Sequence, residues 1–199
     1  MDFDAHAHLP EGSCFRLPEE WSGVVCAVRE SEFEALVRLT NAYSGIIPAF
    51  GLHPWFIAER SESWLDNLRC FLEKTPRAQV GEIGLDKARA DAVSLGDQQD
   101  VFFAQLQLAA SLALPAHIHC VRAWNEMLTL LRTTPQLPKL HFHAFSGSAE
   151  IAQELMRISD VSFSFSPRQK KSASEKIQKL LQNIPHDRIF SESDAPLGS

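Results

Sequence analysis

Residues 116–145 read AHIHCVRAWNEMLTLLRTTPQLPKLHFHAF. The opening run 116–120 and the closing run 139–145 are β-rich, and a helical pattern fills 123–133 between them. The stretch therefore spells strand, helix, strand, the unit from which parallel sheets are built. Each strand candidate also carries two histidines spaced two apart, His117 with His119 and His141 with His143. Residues two apart on a strand share a face, so each pair sends imidazole to one side of the sheet.

The same alternation extends outward in both directions. Strand candidates lie at 3–8, 23–28, 46–53, 79–85, 116–120, 139–145, 161–166 and 188–194, and helix candidates lie near 31–43, 61–74, 97–113, 123–133, 148–158 and 172–184. No low-complexity linker or internal repeat interrupts them, and residues 1–199 read as a single domain. Eight strands with intervening helices predict a (β/α)8 barrel of the TIM type, with its active site at the C-terminal ends of the strands. Ser31 and Ser61 read as helix N-caps, and Glu34 would complete a capping box with Ser31. Beyond Asp97, the residues Phe102, Leu106, Ala109 and Ala113 form an apolar stripe.

The barrel is expected to be compact and to lack the usual C-terminal helix, because the sequence stops five residues after Asp194. The outer face of the eighth strand, with Ile189, Ser191 and Ser193, would then need a cover. A second copy, a partner chain or a re-routed segment 9–22 could supply it.

Composition bounds the setting. A 45% hydrophobic content suffices for one core. No run approaches the ~20 apolar residues of a membrane span, and MDFDAHAHLP has no leader-like pattern, so a cytoplasmic protein without membrane contact is expected. Cys14, Cys26, Cys70 and Cys120 are scattered without a CxxC pair, which fits a reducing compartment. A net charge of −6 argues against a basic coat for nucleic acid. It leaves a nuclease open, because a metal site concentrates carboxylates whose charge bound cations reverse.

Seven of the eight histidines, His6, His8, His53, His117, His119, His141 and His143, lie in or at the end of a strand candidate. Period two places Asp4, His6 and His8 on one face, and Glu192 with Asp194 on another. An HxH pair closing an apolar strand is a ready clamp for a metal ion. Glu82, inside QVGEIGLD, is a carboxylate on a strand that otherwise reads as buried, and such a charge is costly unless paired or metal-bound. A bridging ligand is the economical reading, and Asp194 would sit at the barrel mouth. Nitrogen and oxygen ligands without thiolates suit Zn, Mn, Fe or Ni, with Mg where carboxylates dominate. Two such ions ~3.5–4 Å apart would activate water and clamp a phosphoryl group.

Six segments, FDAHAHL, GLHPW, GEIGLD, LPAHIHC, HFHAFSG and SESDAP, occur in the order found in TatD-type metal-dependent hydrolases, a branch of the amidohydrolase-like barrels. The chain resembles that family from residue 2 to 196. The resemblance implies that His6, His8, Glu82 and Asp194 hold one metal, and that Glu82, His119 and His143 hold the second. It implies catalytic roles for Glu82 and Asp194, the latter as acceptor of the proton from the attacking water. It also implies a deoxyribonuclease acting from an end on single-stranded or frayed DNA.

Outside the family's ligand positions, His117 and His141 are expected one layer deeper. His53 would either face substrate or order the loop before Pro54, and His186 would be solvated. Arg168, Lys170 and Lys171 follow the seventh strand, where such barrels commonly bind phosphate. Arg122 lies three residues beyond His119, where many family members place an arginine two beyond. Lys87 stands where the family usually has an aromatic residue. Cys14 and Cys120 read as packing residues. Two other functions compete: a metal-dependent deacylase or amidohydrolase, in which water attacks a carbonyl, and a non-catalytic accessory subunit retaining the metal site.

Overall fold

A computed structural model describes residues 3–10, 16–171 and 174–197 of the chain. Among them, β1 (Asp4–His8), β2 (Gly23–Ala27), β3 (Ile46–Phe50), β4 (Gln79–Asp86), β5 (Ala116–Val121), β6 (Leu140–Phe142), β7 (Val161–Phe165) and β8 (Ile189–Ser191) pair in parallel and close in chain order. All eight expected strands are present, and the fold is the (β/α)8 barrel. Outside it run α1 (Glu30–Ala42), α2 (Trp64–Lys74), α3 (Leu95–Ser111), α4 (Trp124–Thr133), α5 (Ala149–Ile158), α6 (Pro167–Lys170) and α7 (Glu175–Gln182). The helix expected over 172–184 is α7, and a further short helix not expected there, α6, precedes it, started by a capping box between Ser166 and Gln169.

The main core lies between strands and helices. Strand residues such as Val25, Val80, Ile83 and Ile118 meet Phe33, Leu68, Phe102 and Leu106 from the helices, all essentially removed from water. Each such burial is worth roughly 1.5–3 kcal/mol before entropy is counted. The stripe on α3 holds for Phe102, Leu106 and Ala109, but Ala113 lies beyond the helix, exposed and at φ 54°.

Two buried glutamines interrupt the apolar face of α3 and fasten it to loops at the C-terminal end of the barrel. Gln105 accepts from the Leu52 backbone at 2.7 Å and donates back to its carbonyl at 3.1 Å. Gln98 does the same for Asp86 at 2.7 and 3.1 Å. These paired bonds fix the ends of β3 and β4, where His53 and Asp86 stand.

The expected N-caps are corrected. Helix α1 begins at Glu30, so Ser31 lies within it, and Glu32 rather than Glu34 reaches back, accepting from the Val28 backbone at 2.8 Å. Ser61 precedes α2 and instead donates to Glu30 through its backbone at 2.7 Å and its hydroxyl at 2.8 Å. A tertiary carboxylate thereby displaces the local cap.

Past β8 the chain continues along β1. Asp194 donates its N–H to the His6 carbonyl at 3.0 Å, His8 donates to Ala195 at 2.9 Å, and Leu197 donates to His8 at 3.1 Å. Leu197 is buried in the core, as Leu9, Leu17 and Trp21 are in part. Of the covers expected for the eighth strand, residues 11–15 and Cys14 with them lie outside the described residues. Ser191 on that face accepts a hydrogen bond from Lys170 at 2.7 Å. No helix among the described residues is long and apolar enough to cross a membrane.

Candidate metal centre

Two irregularities in the strands aim the ligands. Pairing of β1 with β2 slips between Asp4 and Ala7, and pairing of β4 with β5 slips between Val80 and Ile83. Each slip sets three residues against two, the signature of a bulge, and bulges re-aim side chains beside active sites. The first overturns the expectation that Asp4 shares a face with His6 and His8. The carboxylate of Asp4 instead accepts from the backbone of His6 at 3.3 Å and of Ser193 at 2.9 Å. In β4 the slip brings Glu82 into the barrel. Gly84 then passes so close to β5 that a Cβ there would lie 1.9 Å from the His119 carbonyl, and its φ of 149° also favours glycine.

Glu82 is buried at the centre, with five imidazoles around it. His53, His119 and His143 approach its Oε1 at 3.1, 2.9 and 2.8 Å. His6 and His8 approach Oε2 at 3.3 and 3.9 Å. Asp194, 36% exposed at the mouth, places Oδ1 3.4 Å from His8 and 3.9 Å from His6. Its backbone is left-handed, φ 50°, and is held there by the bond to His6. All six residues implied as ligands converge, and His53 joins them.

The electrostatics follow from this packing. Burial alone would raise the Glu82 carboxyl, but His143, His53 and His119 hold it well below the usual range. Burial opposes ionisation of Asp194 as well, and His8 overrides it. For His6, burial and the neighbouring His143 lower its pKa to about 4. Burial would also lower His119, yet hydrogen bonds to Asp86 and Glu82 raise it to about 9.

The donor set fits divalent cations. His6 Nε2, Glu82 Oε2 and His143 Nδ1 are buried polar atoms without a hydrogen-bond partner, an arrangement that is costly unless something else satisfies them. Single donor atoms of His6, His8 and Asp194 lie within 4.8 Å of one another, as do those of His6, Glu82 and His143, and of His53, Glu82 and His119.

Supporting groups stand behind the ligands. Asp86 is buried, its pKa brought down to about 2 against burial by His119 and Trp55. It accepts from Trp55 Nε1 at 2.6 Å and lies 3.4 Å from His119 Nε2, leaving His119 Nδ1 to face Glu82. His6 Nδ1 contacts Cys26 Sγ at 3.6 Å. Such outer contacts fix ring orientation and tautomer. Asp86 lay unremarked within GEIGLD. Its signal is a second acid ending the strand that holds Glu82, four residues on and so on the same inward face.

His117 and His141 lie one layer deeper, as expected. His117 contacts Gln79, while His141 contacts the hydroxyls of Ser162 and Ser164, both at 2.8 Å. Glu192, also inward, accepts from the Ala144 backbone at 2.8 Å and from Ser164. The cationic candidates do not converge. Arg122 and Arg168 are exposed, and Lys170 turns to Ser191 because that hydroxyl faces it from the outer side of β8. Lys87 pairs with Glu126 at 2.6 Å. His186 is exposed, and Cys120 is a buried thiol pushed well up by burial.

Beside the centre opens a cleft of about 920 Å3, lined by His8, Arg29, Arg38, Tyr43, Trp55 and Phe56 among others. Arg29 stacks over Phe56 at 3.7 Å, and Arg89 over Trp55 at 4.2 Å. Sequence reasoning missed both pairs, because each joins residues from different loops.

Comparison with known proteins places this arrangement in a lineage. The chain is similar to the 3'-5' RNA nuclease TATDN2 of Homo sapiens, 35% identical over 150 residues that cover 74% of this chain and 20% of that protein. It is similar to the 3'-5' ssDNA/RNA exonuclease TatD of Klebsiella pneumoniae, 29% identical over 83% of this chain and 63% of that one. It is also 28% identical to the uncharacterized metal-dependent hydrolase YabD of Bacillus subtilis, over 98% of this chain and 80% of that one. The chain thus spans a fifth of the human relative's length and less than two thirds of the Klebsiella relative's. Its fold matches the crystal structure of YJJV, a TatD homolog from Escherichia coli, with a TM-score of 0.83 at 23% identity, covering 97% of this chain and 78% of that one. The family model described as TatD related DNase matches residues 3–199, and the chain belongs to that family.

Proposed function

We propose that this protein is a metal-dependent phosphodiesterase that removes nucleotides from the 3' end of single-stranded DNA or RNA. The observation that carries the reading is the division of five imidazoles between the two oxygens of one buried carboxylate, with Asp194 closing the open side. His6, His8, Asp194 and Glu82 Oε2 would hold one divalent cation, and Glu82 Oε1, His119 and His143 a second. When bound, such ions supply Lewis acidity toward water and a phosphoryl oxygen. The names of the human and Klebsiella relatives support the substrate class and polarity.

The chain's own residues supply the rest. Asp194 is held ionised at the mouth, partly exposed, and serves as acceptor for the proton of the attacking water. Asp86 holds His119 in the orientation that presents Nδ1 to the centre. His53, buried and shifted toward its neutral form by burial, leaves Nε2 beside Glu82 at the edge where a phosphate would enter. The cleft favours phosphodiester over acyl substrates. It is wide, Arg29 and Arg38 line it, and of its aromatic rings Phe56 carries Arg29 and Trp55 carries Arg89, where a deacylase would call for a small apolar pocket.

The test is a 5'-labelled single-stranded oligonucleotide incubated with purified protein of measured metal content. A ladder shortening from the 3' end, abolished by a chelator and restored by a divalent cation, is expected. Folded, metal-replete protein that leaves the strand intact while hydrolysing an acyl or amide substrate would overturn the reading.

A further inference from the structure

We infer that Trp55, with Arg89 beside it, forms a stacking subsite for the terminal nucleobase of the strand being cut. The inference rests on the phosphodiesterase reading and deepens it. Trp55 is 45% exposed, one of three large hydrophobic side chains exposed among the described residues. Its only polar side-chain atom is already used, since Nε1 donates to Asp86 at 2.6 Å. What it offers to solvent is therefore aromatic surface. Its backbone N–H donates to His53 Nδ1 at 3.2 Å, so ring and backbone are both anchored on groups of the metal centre. An exposed indole held this firmly keeps little rotamer entropy to lose when a flat ligand settles on it.

Location selects the ligand. Trp55 lines the same cleft as His8, so its open surface and a metal-binding imidazole face a common space. Arg89 lies 4.2 Å from the indole centroid and makes no ion pair among the described residues, whereas nearby Lys87 is paired with Glu126. A guanidinium held over a ring keeps its charge free for a phosphate while the ring takes a base. An aromatic face, a free cation and a metal-binding acid cluster correspond in chemistry to a base, its flanking phosphate and the scissile bond. Because every base has a π-face, the subsite would accept any of the four and read the presence of a terminal base, not its identity.

The test pairs an enzyme change with a substrate change. Wild type, Trp55→Ala, Trp55→Phe and Arg89→Ala are assayed on a short single-stranded oligonucleotide with an ordinary 3' nucleotide and on one whose 3' nucleotide is abasic. Stacking of one base commands about ten- to hundredfold, so wild type should lose about that much kcat/KM on the abasic end. Trp55→Ala should lose a similar factor on the ordinary end and little more on the abasic one. Trp55→Phe should recover most of the loss, because it keeps a ring but lacks the bond to Asp86. Arg89→Ala should raise KM with kcat nearly unchanged. Equal losses by Trp55→Ala on both ends, or failure of Trp55→Phe to recover, would show that Trp55 acts only by orienting Asp86 and would overturn the inference. Wild type cutting both ends equally well would overturn it while leaving the phosphodiesterase reading intact. Wild type cutting neither would overturn both.

Discussion

The barrel interior holds two layers of histidine on the same strands, and they behave differently. On β5 and just past the end of β6 the upper members, His119 and His143, meet at Glu82 Oε1, while His117 and His141 two residues below meet an amide and two hydroxyls. Residue type, strand and face are shared. What differs is the partner. A buried carboxylate at the top draws imidazoles toward a common point and leaves ring atoms unsatisfied, ready for a cation. Neutral partners below occupy both ring nitrogens of His141 and Nε2 of His117, whose Nδ1 alone has no hydrogen-bond partner, and burial holds both in the uncharged form, with His117 lowered to about 3 and His141 well below its usual value. A histidine pair on a strand thus becomes half ligand and half core through the depth at which a carboxylate stands.

The largest test of this contrast removes the carboxylate. Glu82→Gln keeps the volume but abolishes the charge shared by five imidazoles, so metal content should collapse and turnover fall about a thousandfold or more, within the range of charged catalytic groups. Elemental analysis and kcat measure this. Asp194→Asn should lower turnover at least ~100-fold with circular dichroism unchanged. Near wild-type turnover in either variant would dissolve the distinction between the layers.

A smaller effect is expected one contact further out. Asp86→Asn leaves a group able to bond Trp55 but removes the charge that favours protonated His119 and fixes its tautomer. Metal affinity or activity should fall about 10- to 100-fold, as for other partners of ligating histidines, and competition with a chelator reads it.

The smallest effect on activity belongs to the lower layer. His141→Gln should change turnover little yet cost about 1–3 kcal/mol of stability, because Ser162 and Ser164 lose partners in a buried site. Its pH dependence has a defined sign. A histidine whose folded pKa lies below the unfolded value of about 6.5 binds its proton more readily when unfolded, so its stabilisation is complete above that pH and is lost as pH falls below it. Chelator-treated His141→Gln should therefore show a shallower decline of urea midpoint from pH 7 to pH 4 than wild type. An equal or steeper decline would mean that His141 is not held neutral.

Much of this was legible in the residues. The two-residue spacing of the histidines and the apolar runs around them were enough for the strands, and the ordered motifs pointed to His6, His8, Glu82, His119, His143 and Asp194. Period two could not separate His117 and His141 from the ligands, since it places them on the same face as His119 and His143; the resemblance alone set them apart. Three kinds of feature were not legible. Bulges arise from pairing with a neighbouring strand, so Asp4 was assigned to the wrong face. Long-range bonds such as Gln105 to Leu52 join residues 53 apart, and in sequence these glutamines look like polar breaks in a helix stripe. Charges near a site in the chain also need not point to it, as Lys170 shows by turning to Ser191.

The pairing of residues 194–197 with β1 ties the chemistry to closure of the barrel. The bond from Ser193 to Asp4 joins residues 189 apart, so forming it closes a loop of that length. Asp194 is placed beside His8 by that seam, and a chain with the seam open lacks one carboxylate of the proposed cation site. Binding of a cation therefore favours the sealed form by mass action, about 2.7 kcal/mol at a hundred times Kd. During refolding, the return of hydrolysis would lag the return of helical signal and report the closing of the last seam.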